Sequence, residues 1–267
     1  MLKKRVIFTL LYDNGSFMLS RNFRLQKVGD LHWLKRNYNF SDIAFSIDEL
    51  IILDVTRGNR NEERFYEHVR FFTEECFVPI ASGGGIRTLE QASQLIYSGA
   101  DKVVVNTLVV ENPNIIIDIA TKFGAQCIVA SIDVGLANNK FNIWTDNGSV
   151  KQEIGITELL NNIASLPIGE LYLNSINHDG TGHGYENELL DFIPDKFPIP
   201  VILAGGAGKY KHFANALQDE RVDAVATAHL FNFVGNGLQE AREQLLNDKF
   251  NLAVWDVNLA KYLANCI

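Results

Sequence analysis

Eight short apolar runs alternate with amphipathic stretches along the 267 residues. The runs are nearly unbroken in hydrophobic residues, as in parallel strands buried on both faces, and a glycine-rich turn recurs at equivalent places in the two halves. Together these observations predict an α/β chain closed into a (βα)8 TIM barrel. The first strand is expected at Val6–Leu11 and the second at Leu50–Val55. Pro79–Ser82, Val103–Asn106 and Cys127–Asp133 follow, then Leu171–Ser175, Val201–Ala204 and Ala224–Ala228. Leu89–Tyr97 repeats its apolar residues at helical spacing, with Thr88 as N-cap and Gln91 at the capping-box offset. Asn112-Pro113 opens the next helix with a cap and a first-turn proline. Phe213–Leu217 and Leu238–Leu246 also read as helical. An open doubly wound sheet shows the same alternation, so strand count alone leaves closure open.

The internal duplication supports the barrel. Ser82-Gly83-Gly84-Gly85-Ile86 follows the third strand and Ala204-Gly205-Gly206-Ala207-Gly208 the seventh. Each is followed by a further strand, ending in Asn106-Thr107 or Thr227-Ala228, so two half-barrels would set the glycine turns on opposite sides of one mouth. Lys140–Gln152, with Asp146-Asn147-Gly148 between alternating residues, reads as an extra β-hairpin after the fifth strand. Residues 1–250 are expected to form a single barrel domain. The tail Asn251–Ile267, with Trp255 and Tyr262, is expected to pack on it as a helix.

Composition narrows the function classes. At 47% hydrophobic and 21% charged residues the chain carries enough apolar material for a full core, which excludes disorder. Its 24 Lys and Arg against 32 Asp and Glu give a net charge of −8, unsuited to nucleic acid or an anionic membrane surface. Cys76, Cys127 and Cys266 are too scattered for a disulfide framework, which fits a reducing cytoplasm. No apolar run approaches the ~18 residues of a membrane span. Met1-Leu2-Lys3-Lys4-Arg5 has the charge of a signal peptide but leads into a first strand without a cleavage-type site. No metal site and no cofactor is called for.

The glycine turns carry the clearest chemistry. Glycines between a strand and a helix let backbone N–H groups approach a phosphate; two such turns imply an elongated ligand with a phosphate at each end. Asp54, Asp133 and Asp179 stand at or after strand ends, where a carboxylate can act as acid or base or simply cap the next loop. The first strand instead ends in Leu10-Leu11, so a leucine occupies the place that would face Asp133. At the other end, Arg5, Glu49, Lys102 and Glu170 each stand immediately before a strand. They could converge in an ion-paired ring, although spacing alone favours four separate, solvated strand ends.

These motifs together resemble the cyclase subunit of imidazole glycerol phosphate synthase, a histidine-biosynthesis enzyme. The resemblance runs from Lys4-Arg5-Val6-Ile7 to about Phe231. It is carried by Asp48-Glu49-Leu50, Leu53-Asp54-Val55-Thr56, Gly83-Gly84-Gly85-Ile86 and Gly99-Ala100-Asp101-Lys102-Val103. Glu111-Asn112-Pro113, Ser131-Ile132-Asp133, Ser175-Ile176-Asn177-His178-Asp179-Gly180-Thr181 and Gly205-Gly206-Ala207-Gly208-Lys209 extend it. It implies a barrel that receives ammonia from a glutaminase at its foot and delivers it to a bisphosphorylated substrate at its mouth. Asp133 would be one of two catalytic aspartates. Gly84, Gly85, Asn106 and Thr107 would hold one phosphate; Asp179, Gly180, Gly205, Gly206 and Ala228 would hold the other. Arg5, Glu49, Lys102 and Glu170 would form the ammonia gate, with Asp101 on the glutaminase-facing side.

The departures cluster at the chemical end. Leu11 replaces the second catalytic aspartate and Leu19 a lysine of the first loop; Asn177 replaces an aspartate and His229 a serine. The Leu10-Leu11 ending resembles a paralogous group that works with a glutaminase and an ATP-dependent sugar amidotransferase to make acetamidino sugars of surface polysaccharides. The expectation is therefore an ammonia-channelling subunit with impaired cyclase activity. The alternatives are a genuine cyclase using Asp13 in place of the missing residue, and a non-catalytic scaffold that binds bisphosphates.

Overall fold

A computed structural model describes residues 3–37, 43–228 and 237–256. In chain order the elements are β1 (Arg5–Asp13), β2 (Ser16–Arg21), β3 (Arg24–Asp30), α1 (Leu31–Asn37), β4 (Glu49–Asp54), α2 (Glu62–Glu75), β5 (Ile80–Gly83) and α3 (Leu89–Tyr97). β6 (Lys102–Val105), α4 (Thr107–Glu111), α5 (Pro113–Phe123), β7 (Ile128–Ala137), β8 (Lys140–Thr145), β9 (Val150–Lys151) and α6 (Ile156–Ala164) follow. The last are β10 (Glu170–Ser175), β11 (Val201–Ala204), α7 (Tyr210–Leu217), β12 (Ala224–Thr227) and α8 (Gly237–Asn247), with a 3-10 turn at Asn187–Phe192 between β10 and β11.

Among the described residues, eight strands pair in parallel in the order β1-β4-β5-β6-β7-β10-β11-β12, and β12 returns to β1. The sheet is a closed (βα)8 barrel, which removes the open-sheet alternative. Two barrel strands overrun their expected ends for the same reason. β1 continues beyond the rim into the antiparallel β2–β3 hairpin, and β7 into β8–β9. The second hairpin is the expected insert. The first went unread: β3 is largely exposed, and its turn at Asn22 and Phe23 reaches positive φ without a glycine. Thr88 and Gln91 form the expected capping box on α3, whereas Asn112 makes no side-chain cap on α5 and only the proline signal there was sound. Residues 251–256 form no helix. The rest of the tail, with Tyr262 and Cys266, lies outside the described residues, as does His229.

Strand alternation divides the core in two. Outward residues such as Val6, Phe8, Leu10 and Tyr12 pack under the helices, where Tyr12 meets Phe17, Phe65 and His68. Inward residues form a second cluster inside the barrel. The strand register stacks them in tiers of four from alternate strands. Glu49, Lys102, Glu170 and Ala224 lie at the foot, then Ile7, Ala81, Val129 and Ile202, then Ile51, Val104, Tyr172 and Ala226. Thr9, Gly83, Ser131 and Ala204 come next, and Leu11 and Asp133 face each other across the top, on strands four places apart in the ring of eight.

The foot is tied by a buried ion pair. Arg242 of α8 donates to both oxygens of Asp48 at 2.7 and 2.8 Å and to Ala253 O at 2.7 Å, while Asp48 also accepts from Val6 N. One fork thus fixes α8, the start of the tail and the first strand to the turn before β4. Removing one member of such a pair strands the other charge in a dry site. Arg242→Met is expected to cost ~3–5 kcal/mol of stability, measured by urea unfolding; a loss under ~1 kcal/mol would match an exposed pair instead.

Candidate functional site

The mouth is a pocket framed by strand ends. Gly84, Gly85, Asn106, Thr107, Asp133, Asp179, Gly180, Gly205, Gly206 and Ala228 all line it, so the structure gathers every residue expected at the phosphate and acid sites. The glycine requirement is plainest at Gly84, whose φ is 109° and where a side chain would strike Asp54 O. On the opposite side Gly180 (φ 66°) lies against Ser20 O of the β2–β3 hairpin. The same hairpin is held by Asp179, whose Oδ2 accepts from Ser20 Oγ at 2.5 Å and Phe23 N at 3.1 Å. Asp179 therefore pins the hairpin against Gly180.

Asp133 sits between two amides. Asn174 Nδ2 donates to it at 2.9 Å and Asn106 Nδ2 at 3.1 Å. Burial, reinforced by the Asp179 charge and only partly offset by these bonds, pushes its carboxyl up to about 6. Opposite stands Leu11, 9% exposed and apolar. The other carboxylates in the lining are engaged. Asp54 accepts from Thr56 N and lies 3.5 Å from Arg60, and Asp146 pairs with Arg87 at 2.5 Å. Asp13 is absent from the lining, which leaves the rearranged-cyclase alternative without its substitute acid there. Leu19 packs against the outer core, and Asn177 accepts from Leu136 N at 2.6 Å; both serve the hairpins flanking the mouth.

At the foot the four charges do converge, against the reading from spacing alone. Arg5 contacts Glu49 at 3.1 Å and Glu170 at 2.6 Å; Lys102 contacts Glu49 at 2.8 Å and Glu170 at 2.7 Å. Each cation touches both anions, so the set is a closed, formally neutral ring. Burial drives the Glu49 carboxyl up despite Lys102 and Arg5, while the two carboxylates hold the Lys102 ammonium charged against its own burial. Asp101, exposed at the same end, accepts from Ile80 N at 2.8 Å.

The histidine biosynthesis protein family matches residues 28–235, most of the chain. The chain belongs to the HisF family. It is 45% identical over 256 residues, 96% of this chain and 95% of the relative, to a protein of Parasynechococcus marenigrum (strain WH8102) provisionally named imidazole glycerol phosphate synthase subunit hisF2. It is 36% identical over 233 residues to the imidazole glycerol phosphate synthase subunit HisF of an Exiguobacterium species (strain ATCC BAA-1283 / AT1b), covering 87% of this chain and 89% of that one. Against the HisF subunit of Chlorobaculum tepidum the figure is 36% over 246 residues, 92% of this chain and 96% of the relative.

Sequence reasoning missed several residues that shape this HisF-family mouth. Arg57, Arg60 and Arg87 line the pocket, Arg60 beside Gly85, and Phe23 and Asp146 join the lining from the tips of the hairpins. Only the arginines offered a sequence signal, flanking Asp54 and Gly85. Tyr172 and Asn174 were hidden inside a run legible only as a buried strand. Among the described residues no helix is long and apolar enough to cross a membrane.

Asp133 gives a pH test. Its folded pKa exceeds the unfolded value near 4, so folding favours the protonated form. The penalty is absent below about pH 4 and complete above about pH 6. Asp133→Asn is expected to raise stability by ~1–2 kcal/mol above pH 7, with the gain vanishing in acid. Thermal melts from pH 4 to 8 check this; a pH-independent change would refute it.

Proposed function

We propose that this HisF-family subunit takes ammonia from a glutaminase docked at its foot and conducts it through the barrel for acetamidino-sugar synthesis, with its own cyclase chemistry impaired. The observation that carries the reading is the contrast between the two ends. At the foot a complete ring of two cations and two anions surrounds the bore. At the mouth Asp133 faces a leucine. Leucine can neither take up nor release a proton, and loss of one partner of an acid/base pair removes ~10²–10⁴ in rate.

The roles follow from position. Arg5, Glu49, Lys102 and Glu170 gate the foot, and Asp101, beside them, belongs to the partner-facing surface. The tier directly above the ring, Ile7, Ala81, Val129 and Ile202, is apolar and suits neutral ammonia better than ammonium, since an isolated charge is costly to bury. At the mouth Gly84, Gly85, Asn106 and Thr107 on one side, and Gly180, Gly205, Gly206 and Ala228 on the other, receive a phosphorylated ligand. Asp179 acts there indirectly, through the hairpin it holds. The sugar assignment, with its ATP-dependent amidotransferase partner, is supported by the Leu10-Leu11 ending. The family relatives named as synthase subunits keep the cyclase as the competing reading.

Two measurements separate them. Purified protein supplied with ammonium chloride and the ribulosyl bisphosphate is expected to turn over negligibly, and Leu11→Asp to raise the rate about tenfold or more. Brisk cyclisation by the unaltered chain overturns the impaired-cyclase reading. In complex with its glutaminase, Lys102→Met is expected to lower the acceptor product formed per glutamine hydrolysed at least severalfold. An unchanged ratio removes the gate.

A further inference from the structure

Tyr172 occupies the third inward tier, two tiers above the charged ring and below Asp133. Its hydroxyl lies 3.3 Å from Thr9 Oγ1. Thr9 is on β1 and Tyr172 on β10, three places apart in the ring of eight strands, so the pair reaches nearly across the bore. Both are buried, at 2% and 6% exposure. The inward residues on the strands between them, β11 and β12, are Ile202, Ala204, Ala224 and Ala226. A phenol set among three alanines fills the space that larger side chains would otherwise close. Burial, with the charges of Asp133 and Asp179 adding to it, keeps this phenol neutral throughout the physiological range. Above the pair, the mouth pocket extends down to both Thr9 and Tyr172.

We propose that Tyr172 and Thr9 form the waist of the barrel, separating the charged ring at the foot from the mouth pocket and deciding what passes between them. The inference rests on the ammonia-delivery reading above and adds the residue that controls the route. Ammonia can donate to one hydroxyl and accept from the other while the ring turns up into the pocket, so the exchange leaves no polar group bare. An ammonium ion meets no carboxylate in this tier among the described residues, and a larger amine cannot share the space with the ring. Tyr172 is thus a filter for small neutral molecules as well as a closure.

Thiol accessibility tests the waist without glutaminase or acceptor. Ala81, fully buried in the tier beneath Tyr172, is replaced by cysteine and treated with methyl methanethiosulfonate. Modification at position 81 is followed by peptide mass spectrometry, with Cys76 and Cys127 as internal references. Ala81→Cys with Tyr172 in place is expected to react about tenfold or more slowly than Ala81→Cys with Tyr172→Ala, because a sealed thiol waits on local opening. Tyr172→Phe keeps the ring volume and loses only the bond to Thr9, so its rate should fall between the two; it also stands in should the alanine variant fail to fold. Equal rates with and without the tyrosine overturn the waist. A waist that holds while the Lys102 ratio stays unchanged rejects delivery but leaves the closure; the converse result places the route elsewhere.

Discussion

The pairing of β7 with β10 and of β12 with β1 closes the sheet, and everything else about the site depends on that closure. A closed ring of parallel strands has no free edge. Its period-two alternation sends one set of side chains under the helices and the other into a bore. Inward positions are then stacked by register alone. Residues far apart in sequence, such as Arg5 and Glu170, become neighbours, and residues two apart on one strand, such as Thr9 and Leu11, fall in separate tiers. Foot, waist and mouth are consecutive levels of one stack.

Burial acts differently at each level. At the foot the charges compensate each other, so Arg5 and Lys102 stay cationic in spite of desolvation. At the mouth Asp133 has amides for partners and no cation within bonding distance among the described residues, and its carboxyl rises. A carboxyl titrating near neutrality is suited to proton transfer. Its lack of an acidic partner at position 11 is what separates this mouth from a two-carboxylate site.

How much was legible follows from the kind of signal each feature left. The barrel strands were readable because burial on both faces makes them continuous apolar runs; Val201–Ala204 matched to the residue. The glycine turns were readable because positive φ beside a crowded strand end admits little else. The β2–β3 hairpin was not, since its exposed second strand carries no apolar alternation and its contact with Asp179 is tertiary. The charged ring was visible as four strand-initial residues, but only three-dimensional closure distinguishes convergence from divergence. Tyr172 was the least legible, because in Leu171-Tyr172-Leu173 nothing marks which neighbour faces the helices and which the bore.

Stability alone does not explain where polar groups remain in that bore. A buried ion-pair ring costs several kcal/mol per charge in desolvation, and apolar replacements of similar volume are often neutral or stabilising. By the same reasoning a second carboxylate opposite Asp133 would raise the energy of both, and leucine at position 11 relieves it. A barrel tuned only to stand would therefore be apolar at both ends. This one keeps a ring of four charges at its foot and a buried carboxyl at its mouth, with an apolar tier above the ring and a leucine opposite that carboxyl. Between the two it places a buried hydroxyl pair, Tyr172 and Thr9, which on the proposed reading offers a small neutral molecule both a donor and an acceptor. Folding alone does not account for such a distribution, and the proposed transit of a small molecule would.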